Sequence, residues 1–156
     1  MNIEKLFILD PNNSEHIKLF DNFNKSNNID NNIVDLLSNN KSDNVIKECL
    51  FLEEKGELKD YCFIYAEKDR KAATLEFANI EKTTGKRKII NMAKDYSFNA
   101  LNMQLVVIVT EPTNKNLITN LSELEFENLG EDNGKLVFMK ENELEKEQGM
   151  IRHGNN

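Results

Sequence analysis

Residues 82–109 read KTTGKRKIINMAKDYSFNALNMQLVVIV, a basic loop around one glycine followed by two apolar segments of different period. The first segment, over 85–101, has apolar residues at helical spacing and predicts a long helix. Its apolar face consists of Ile89, Ile90, Ala93, Ala100 and Leu101. Asn102 suits a left-handed helix end. The second segment, LVVIV at 105–109, is apolar throughout, as in a central strand covered on both faces. Together they predict a helix that crosses over between two parallel strands.

Upstream, the sequence predicts a strand, two helices and then three strands. EKLFILD at 4–10 is typical of a short strand, and SEHIKLFDNF after it predicts a helix with Ser14 as its N-cap. The apolar side of this helix consists of Ile17, Leu19, Phe20 and Phe23. The asparagine-rich segment 25–44 fits a disordered linker or a short second helix. The helical spacing of its apolar residues between Ile29 and Leu37 favours the helix.

The segment 45–69 predicts a β-hairpin that turns at Lys55-Gly56, and residues 71–80 predict the next strand. The predicted register places Cys49 opposite Cys62, Leu50 opposite Tyr61 and Phe51 opposite Asp60. The two cysteines could form a covalent pair across the hairpin or supply a nucleophile. With no histidine nearby to activate a thiol, buried structural thiols are the favoured interpretation.

Downstream, EPTN leads into a helix that carries Leu117, Ile118, Leu121 and Leu124. Residues 126–129 and 135–139 then predict a closing strand pair around EDNG. The complete order predicts an α/β (α+β) mixed sheet of about seven strands with helices on both faces. We expect one domain over 1–141 and a polar C-terminal tail over 142–156.

Composition excludes several classes of function. The 156 residues carry a net charge of −7, which argues against nucleic-acid binding through a basic face. No apolar run approaches the roughly 20 residues of a membrane helix, so no membrane partner is expected. LFIL is too short for a signal peptide, and we expect a cytoplasmic protein. Two cysteines and two histidines without suitable spacing predict no metal site.

The element order and the loop resemble the GNAT superfamily of acetyl-CoA-dependent N-acetyltransferases over residues 3–140. The family's pyrophosphate loop reads Gln or Arg, two residues, Gly, one residue, then Gly or Ala; KTTGKR places Lys82, Gly85 and Arg87 at these positions. Asn114 falls, without a gap, on the asparagine of the family's next motif. Residues 124–126 fall on that motif's closing Leu-Gly-Phe.

The resemblance implies that acetyl-CoA is the co-substrate and that an acetyl group passes to an amine. The residues that it assigns to acetyl-CoA are Phe77, Ala78, Asn79, Lys82, Thr83, Thr84, Gly85, Lys86, Arg87, Lys88 and Asn114. Backbone donors of the Phe77–Asn79 segment would polarise the thioester carbonyl. Three positions depart from the family: Arg87 replaces a small residue, Leu121 stands at the usual tyrosine acid, and Glu125 replaces a glycine.

Physical reasoning about the loop supports an anion site. Backbone N–H groups at a helix start bind anions, and Gly85 permits close approach of a phosphate. Cations at a helix N-terminus are unfavourable, so a bound anion would offset the cost of Lys86, Arg87 and Lys88. The alternative is a solvated basic helix start. A triphosphatase loop is excluded, because Ile80 stands where its first glycine belongs.

Glu76 is the candidate catalytic residue, since amine acetylation needs a base for the ammonium and alternation places Glu76 on one face with Thr74. The alternative for Glu76 is an exposed strand glutamate. The favoured function is an N-acetyltransferase for an unidentified amine. A catalytically degenerate GNAT-fold module with a binding or regulatory role is the competing class, and an anion- or nucleic-acid-binding adaptor ranks last. A homodimer through the terminal strands would be ordinary for the family.

Overall fold

The computed structural model describes residues 4–29, 43–77 and 86–143. Its elements are β1 (Glu4–Ile8), α1 (Ser14–Ser26), β2 (Val45–Glu54), β3 (Glu57–Glu67), β4 (Ala72–Phe77), α2 (Lys86–Asn99), β5 (Leu105–Thr110), α3 (Lys115–Glu123), β6 (Glu127–Asp132) and β7 (Lys135–Glu141). The predicted helix beyond Ile29 and most of the predicted tail lie outside the described residues.

The strands form one seven-stranded sheet in the order β1-β2-β3-β4-β5-β7-β6. Among the described strands, only β4 and β5 pair in parallel; every other neighbouring pair is antiparallel. Because two parallel neighbours need a crossover, α2 connects them. The predicted mixed sheet is therefore confirmed, with residues 72–77 and 105–110 at its centre.

The register of the β2–β3 hairpin differs from the prediction by one residue. Lys55 and Gly56 both have positive φ angles, 54° and 78°, as a two-residue hairpin turn requires. A β-bulge follows this turn, because Glu53 pairs with Leu58 whereas Leu52 pairs with Asp60. The predicted turn is correct, and the extra residue on β3 makes the predicted partners wrong.

The same bulge separates the two cysteines. Cys49 pairs with Phe63, and Leu50 pairs with Cys62. A slip of one residue moves a side chain to the other face of a sheet, so the thiols point in opposite directions and the predicted cross-strand pair is wrong. Both cysteines are buried thiols, as expected for structural cysteines.

The sheet separates two hydrophobic cores. The crossover face is covered by α2 and α3, whose Ile89, Ile90 and Leu121 pack on strand residues such as Leu75 and Ile108. The α1 face is covered by α1 over β2 and β3. Its core contains Phe20 and Phe23 of α1 together with Cys49, Phe51, Tyr61 and Phe63 of the strands.

Burial of β5 is one-sided, contrary to the prediction. Val106 and Ile108 are fully buried on the crossover face, whereas Val109 on the α1 face is 45% exposed. In the described part of the chain, the α1-face core reaches β3 and does not include β5. The continuous apolar run therefore identifies β5 as a strand, but it does not show that both faces of the strand are covered.

Two helix ends also differ in detail from the predictions. Asn13 rather than Ser14 is the N-cap of α1, because its Oδ1 accepts hydrogen bonds from the N–H groups of Glu15 (3.0 Å) and His16 (3.2 Å). Ala100, predicted on the apolar face of α2, lies beyond the helix and is exposed. The left-handed residue at Asn102 is confirmed by a φ angle of 58°.

Candidate functional site

The two parallel strands part before they end. The β4–β5 ladder runs from Ala72 with Leu105 to Leu75 with Ile108. Beyond it, β4 continues to Phe77 on β3, and β5 continues to Thr110 on β7. In open α/β sheets, ligands bind at the carboxyl ends of parallel strands where the chain leaves in different directions. We therefore locate the candidate site at this β4–β5 gap.

Glu76 lies at the mouth of the gap, one residue past the last β4–β5 pair. It is exposed on the α1 face, opposite Phe63 of β3, and it shares this face with Thr74. Phe77 points to the other face, where it packs half-buried against the crossover-face core. The structure thus places the Glu76 carboxylate at the gap, and its catalytic role stays a prediction.

Tyr65 of β3, to which the sequence assigns no role, is a diagonal neighbour of Glu76 across the β3–β4 ladder. The two side chains share a face, because Tyr65 pairs with Thr74, two residues before Glu76. Burial, and then the negative charge of Glu76, raise the pKa of Tyr65 to about 12. Strand alternation with the correct β3–β4 register predicts this shared face.

The basic loop is described only from its helical end. Residues 78–85, which include Ala78, Asn79, Lys82, Thr83, Thr84 and Gly85, lie outside the described residues. Helix α2 begins at Lys86, and no acidic residue lies in its first turn. Arg87 and Lys88 are exposed there. The first turn of α2 therefore carries cations at the positive end of the helix dipole, as predicted.

Arg87 has a protein partner that the sequence did not indicate. Its guanidinium forms an ion pair with Glu123, and the two side chains are 54% and 49% exposed. Glu123 is the last residue of α3, so the pair connects the first turn of α2 to the far end of α3. A phosphate at the loop would have to compete with this carboxylate for Arg87.

Asn114 and Leu121 have structural roles in α3. Asn114 is the N-cap, and its Oδ1 accepts a hydrogen bond from the N–H of Leu117 at 3.4 Å. Leu121 is fully buried in the crossover-face core, as its helical spacing predicted. Glu125, at the family's glycine position, has a φ angle of 65°, the left-handed conformation that glycine favours.

A tyrosine–glutamate pair lies away from the gap. Tyr96 of α2 donates a hydrogen bond to Glu48 of β2 on the crossover face. Burial and this hydrogen bond raise the pKa of Tyr96 above its ordinary value. The pair lies on the face of the sheet opposite to Glu76.

Two searches of the described residues give negative findings. No three or more His, Cys, Asp or Glu side chains among them are arranged to hold a metal ion. None of their helices is long and apolar enough to cross a membrane.

Comparison with known proteins shows similarity in structure alone. No family model and no curated protein matches the sequence. A mutant form of the spermidine/spermine N-acetyltransferase SpeG from Vibrio cholerae superposes with a TM-score of 0.69 at 16% identity, over 94% of this chain and 98% of that one. A dodecameric structure of spermidine N-acetyltransferase from the same organism gives 0.66 at 15%, over 88% and 93%.

A third solved structure carries a ligand. The Campylobacter jejuni N-acetyltransferase PseH, in complex with acetyl coenzyme A, superposes with a TM-score of 0.65 at 13% identity, over 89% of this chain and 99% of that one. The chain therefore has the GNAT fold, which confirms the fold that the sequence resemblance implied.

Proposed function

We propose that the protein is an N-acetyltransferase that moves the acetyl group of acetyl-CoA to an amine. The observation that carries this proposal is the β4–β5 gap with the exposed carboxylate of Glu76 at its mouth. The similarity in fold to three N-acetyltransferase structures, one of them bound to acetyl coenzyme A, supports it. The acceptor stays unassigned beyond its chemical class.

The proposed reaction is a direct transfer. The neutral amine attacks the thioester carbonyl, a C–N bond forms, the C–S bond breaks, and CoA leaves as its thiolate. Glu76 takes up one proton from the acceptor's ammonium group, and the second departing proton passes to solvent, which protonates the departed thiolate. Backbone N–H groups from Phe77 to Asn79 are the proposed donors to the carbonyl oxygen as it gains negative charge.

A dedicated acid is not essential for this reaction. Leu121 is fully buried where the family's tyrosine would stand, so we assign the acid to no residue. A thiol has a pKa of roughly 8.5, and its thiolate is therefore a tolerable leaving group near neutral pH without a proton donor. Solvent can protonate the thiolate after it departs.

For acetyl-CoA we propose the first turn of α2, with the loop before it. Arg87 and Lys88 would face phosphate groups, and the backbone N–H groups of the helix start would add neutral donors. The remaining predicted loop residues belong to the same proposal. The buried cysteine thiols fit a reducing compartment, and we propose the cytoplasm. A homodimer through the terminal strands is proposed on the family resemblance only.

Thermal unfolding with acetyl-CoA, CoA, ATP or no ligand tests the binding step. A ligand at about a hundred times its dissociation constant adds roughly 2.7 kcal/mol to stability. For a chain of this size that raises Tm by several degrees. We expect both CoA species to raise Tm and ATP to have less effect. Absence of a shift at millimolar CoA would contradict the proposal.

Thiol release from acetyl-CoA with a panel of amines tests the chemistry. We expect an amine-dependent rate that Glu76→Gln lowers. The competing function is a degenerate module that binds CoA without transfer, and the burial of Leu121 together with the Arg87–Glu123 pair favours it. CoA binding with no amine-dependent thiol release would establish that module instead.

A further inference from the structure

The β4–β5 gap has an acidic side and an apolar side on the α1 face. Thr74 of β4 pairs with Val107 of β5, so the next residues on that face are Glu76 on β4 and Val109 on β5. Each is the first residue of its strand beyond the last β4–β5 pair. A molecule that enters the gap from the α1 face therefore meets a carboxylate on one side and a valine side chain on the other.

Val109 differs from the other large hydrophobic side chains that are exposed in the described part of the chain. Ile8, at 45% exposure, and Leu129, at 53%, lie on the two edge strands of the sheet, β1 and β6. Val109 is also 45% exposed, but it lies on β5, which has a paired strand on each side. The described residues thus leave apolar surface open directly beside the candidate site.

Val109 belongs to a continuous apolar strip. On the same face of the sheet, Val107 precedes it on β5, and β7 places Val137 opposite Val109 and Met139 opposite Val107. The other three side chains are half-buried. We call these four residues the apolar strip. The strip extends from the mouth of the gap across two neighbouring strands.

The strip itself carries no charge, and two carboxylates flank it. Glu111, two residues beyond Val109, forms an ion pair with Lys135 at 3.7 Å. Glu127 pairs with Met139 from the edge strand β6. An ammonium group that lay on the strip would lose hydrogen bonds to water without gaining a partner there, which is costly. A methylene chain is favoured at the same place, because it removes apolar surface from water.

We propose that the acceptor is a primary amine with an uncharged apolar arm, whose ammonium contacts Glu76 while the arm lies on Val109 and along the apolar strip. The inference rests on the proposed function, and it makes Val109 a specificity-determining residue. Two residues of a strand span about 7 Å, so the strip accommodates an arm of about four to six carbon atoms. In the transfer, the ammonium gives one proton to Glu76 and a second to solvent, its nitrogen bonds to the acetyl carbon, and the sulfur leaves with the electron pair of the broken C–S bond.

The first experiment compares n-propylamine, n-hexylamine and 1,5-diaminopentane in steady-state thiol release from acetyl-CoA. The last two amines have the same number of non-hydrogen atoms and differ only in the terminal group, a methyl or an ammonium. A fully buried methylene contributes roughly fourfold in affinity, so a half-covered methylene on an open strip contributes roughly twofold. We therefore expect kcat/KM for n-hexylamine to be roughly eightfold higher than for n-propylamine and on the order of tenfold higher than for 1,5-diaminopentane.

The second experiment repeats these measurements in two variants of Val109. Val109→Asp places a second carboxylate across the gap from Glu76, so 1,5-diaminopentane should become the better substrate. Val109→Thr keeps the branched side chain and replaces one methyl by a hydroxyl, which should reduce the hexylamine-to-propylamine ratio about twofold. Val45→Thr is the matched control, because Val45 pairs with Glu67 at the end of the sheet away from the gap. Its ratio should equal that of the parent.

The outcomes separate this inference from the proposed function. A parent protein that uses 1,5-diaminopentane as well as n-hexylamine would overturn the acceptor class and leave the transferase intact. Unchanged ratios in both Val109 variants would overturn the role of Val109. If no amine supports thiol release, the proposed function fails, and saturation-transfer NMR with the same amines decides the inference. Saturation strongest at the methyl end of n-hexylamine, and lost in Val109→Asp, would sustain the proposed arm site. Absence of saturation in n-hexylamine would overturn it.

Discussion

Removal of the Arg87 charge is the sharpest test of the basic loop. The structure pairs the guanidinium with Glu123, and both side chains are about half exposed, at 54% and 49%. Exposed ion pairs typically contribute about 0.2–1 kcal/mol. A guanidinium contact to phosphate contributes more, about 1.5–3 kcal/mol. A phosphate of CoA should therefore replace Glu123 as the partner of Arg87 at a small cost in free energy.

These magnitudes predict a definite order of affinities for CoA. Arg87→Gln should weaken binding by roughly one to two decades. Glu123→Gln should strengthen it, by up to about fivefold, because the competing carboxylate is gone. In the double variant, affinity should match that of Arg87→Gln, since Glu123 acts only through Arg87. Each variant should change Tm by no more than about 2–4 °C, and the effect of Glu123→Gln should shrink in high salt.

Isothermal titration calorimetry with CoA measures all of these affinities. Arg70→Gln is the matched control, because Arg70 forms an ion pair with Glu67 at 3.5 Å near the opposite end of β4 and is 79% exposed. It removes the same charge and a similar pair. Equal affinity for CoA in the parent and in Arg87→Gln would refute the reasoning, and Arg87 would then serve only to connect α2 with α3.

Three further predictions concern stability and reactivity. Glu125→Gly should raise Tm by about 2–4 °C, because a non-glycine residue in the left-handed conformation costs roughly 1 kcal/mol. Glu125→Ala keeps the Cβ and should leave Tm unchanged. Equal effects of the two substitutions on Tm would contradict the presence of backbone strain at Glu125. Leu121→Tyr should destabilise the fold by about 1–3 kcal/mol through overpacking and should not raise the rate of thiol release. Ser122→Tyr, at an exposed position, should leave stability unchanged. Denaturant unfolding measures both effects on stability. Cys49 and Cys62 should react with a thiol reagent only after denaturation, since both are buried and burial raises the pKa of the Cys49 thiol; rapid reaction of the native protein would contradict this.

The order of the elements, the parallel pair at the centre and most of the core were predictable from the sequence. Helical and alternating periods report the local backbone and the side that it buries, so Ile89, Ile90 and Leu121 were placed correctly in the core. Asn102 was predictable for the same local reason, because few residue types adopt a left-handed helix end. The candidate glutamate also followed from alternation along a single strand.

The partners of these residues were decided by the tertiary structure. A bulge of one residue between the Lys55-Gly56 turn and Leu52 shifted the hairpin register. The periodicity within either strand does not reveal such an insertion. The shared face of Tyr65 and Glu76 depends on the register between β3 and β4, and the Arg87–Glu123 pair depends on how α2 and α3 pack. The spacing of apolar residues in the sequence indicates which side of each segment is buried. The packing of the sheet and its helices decides which side chains from different segments meet.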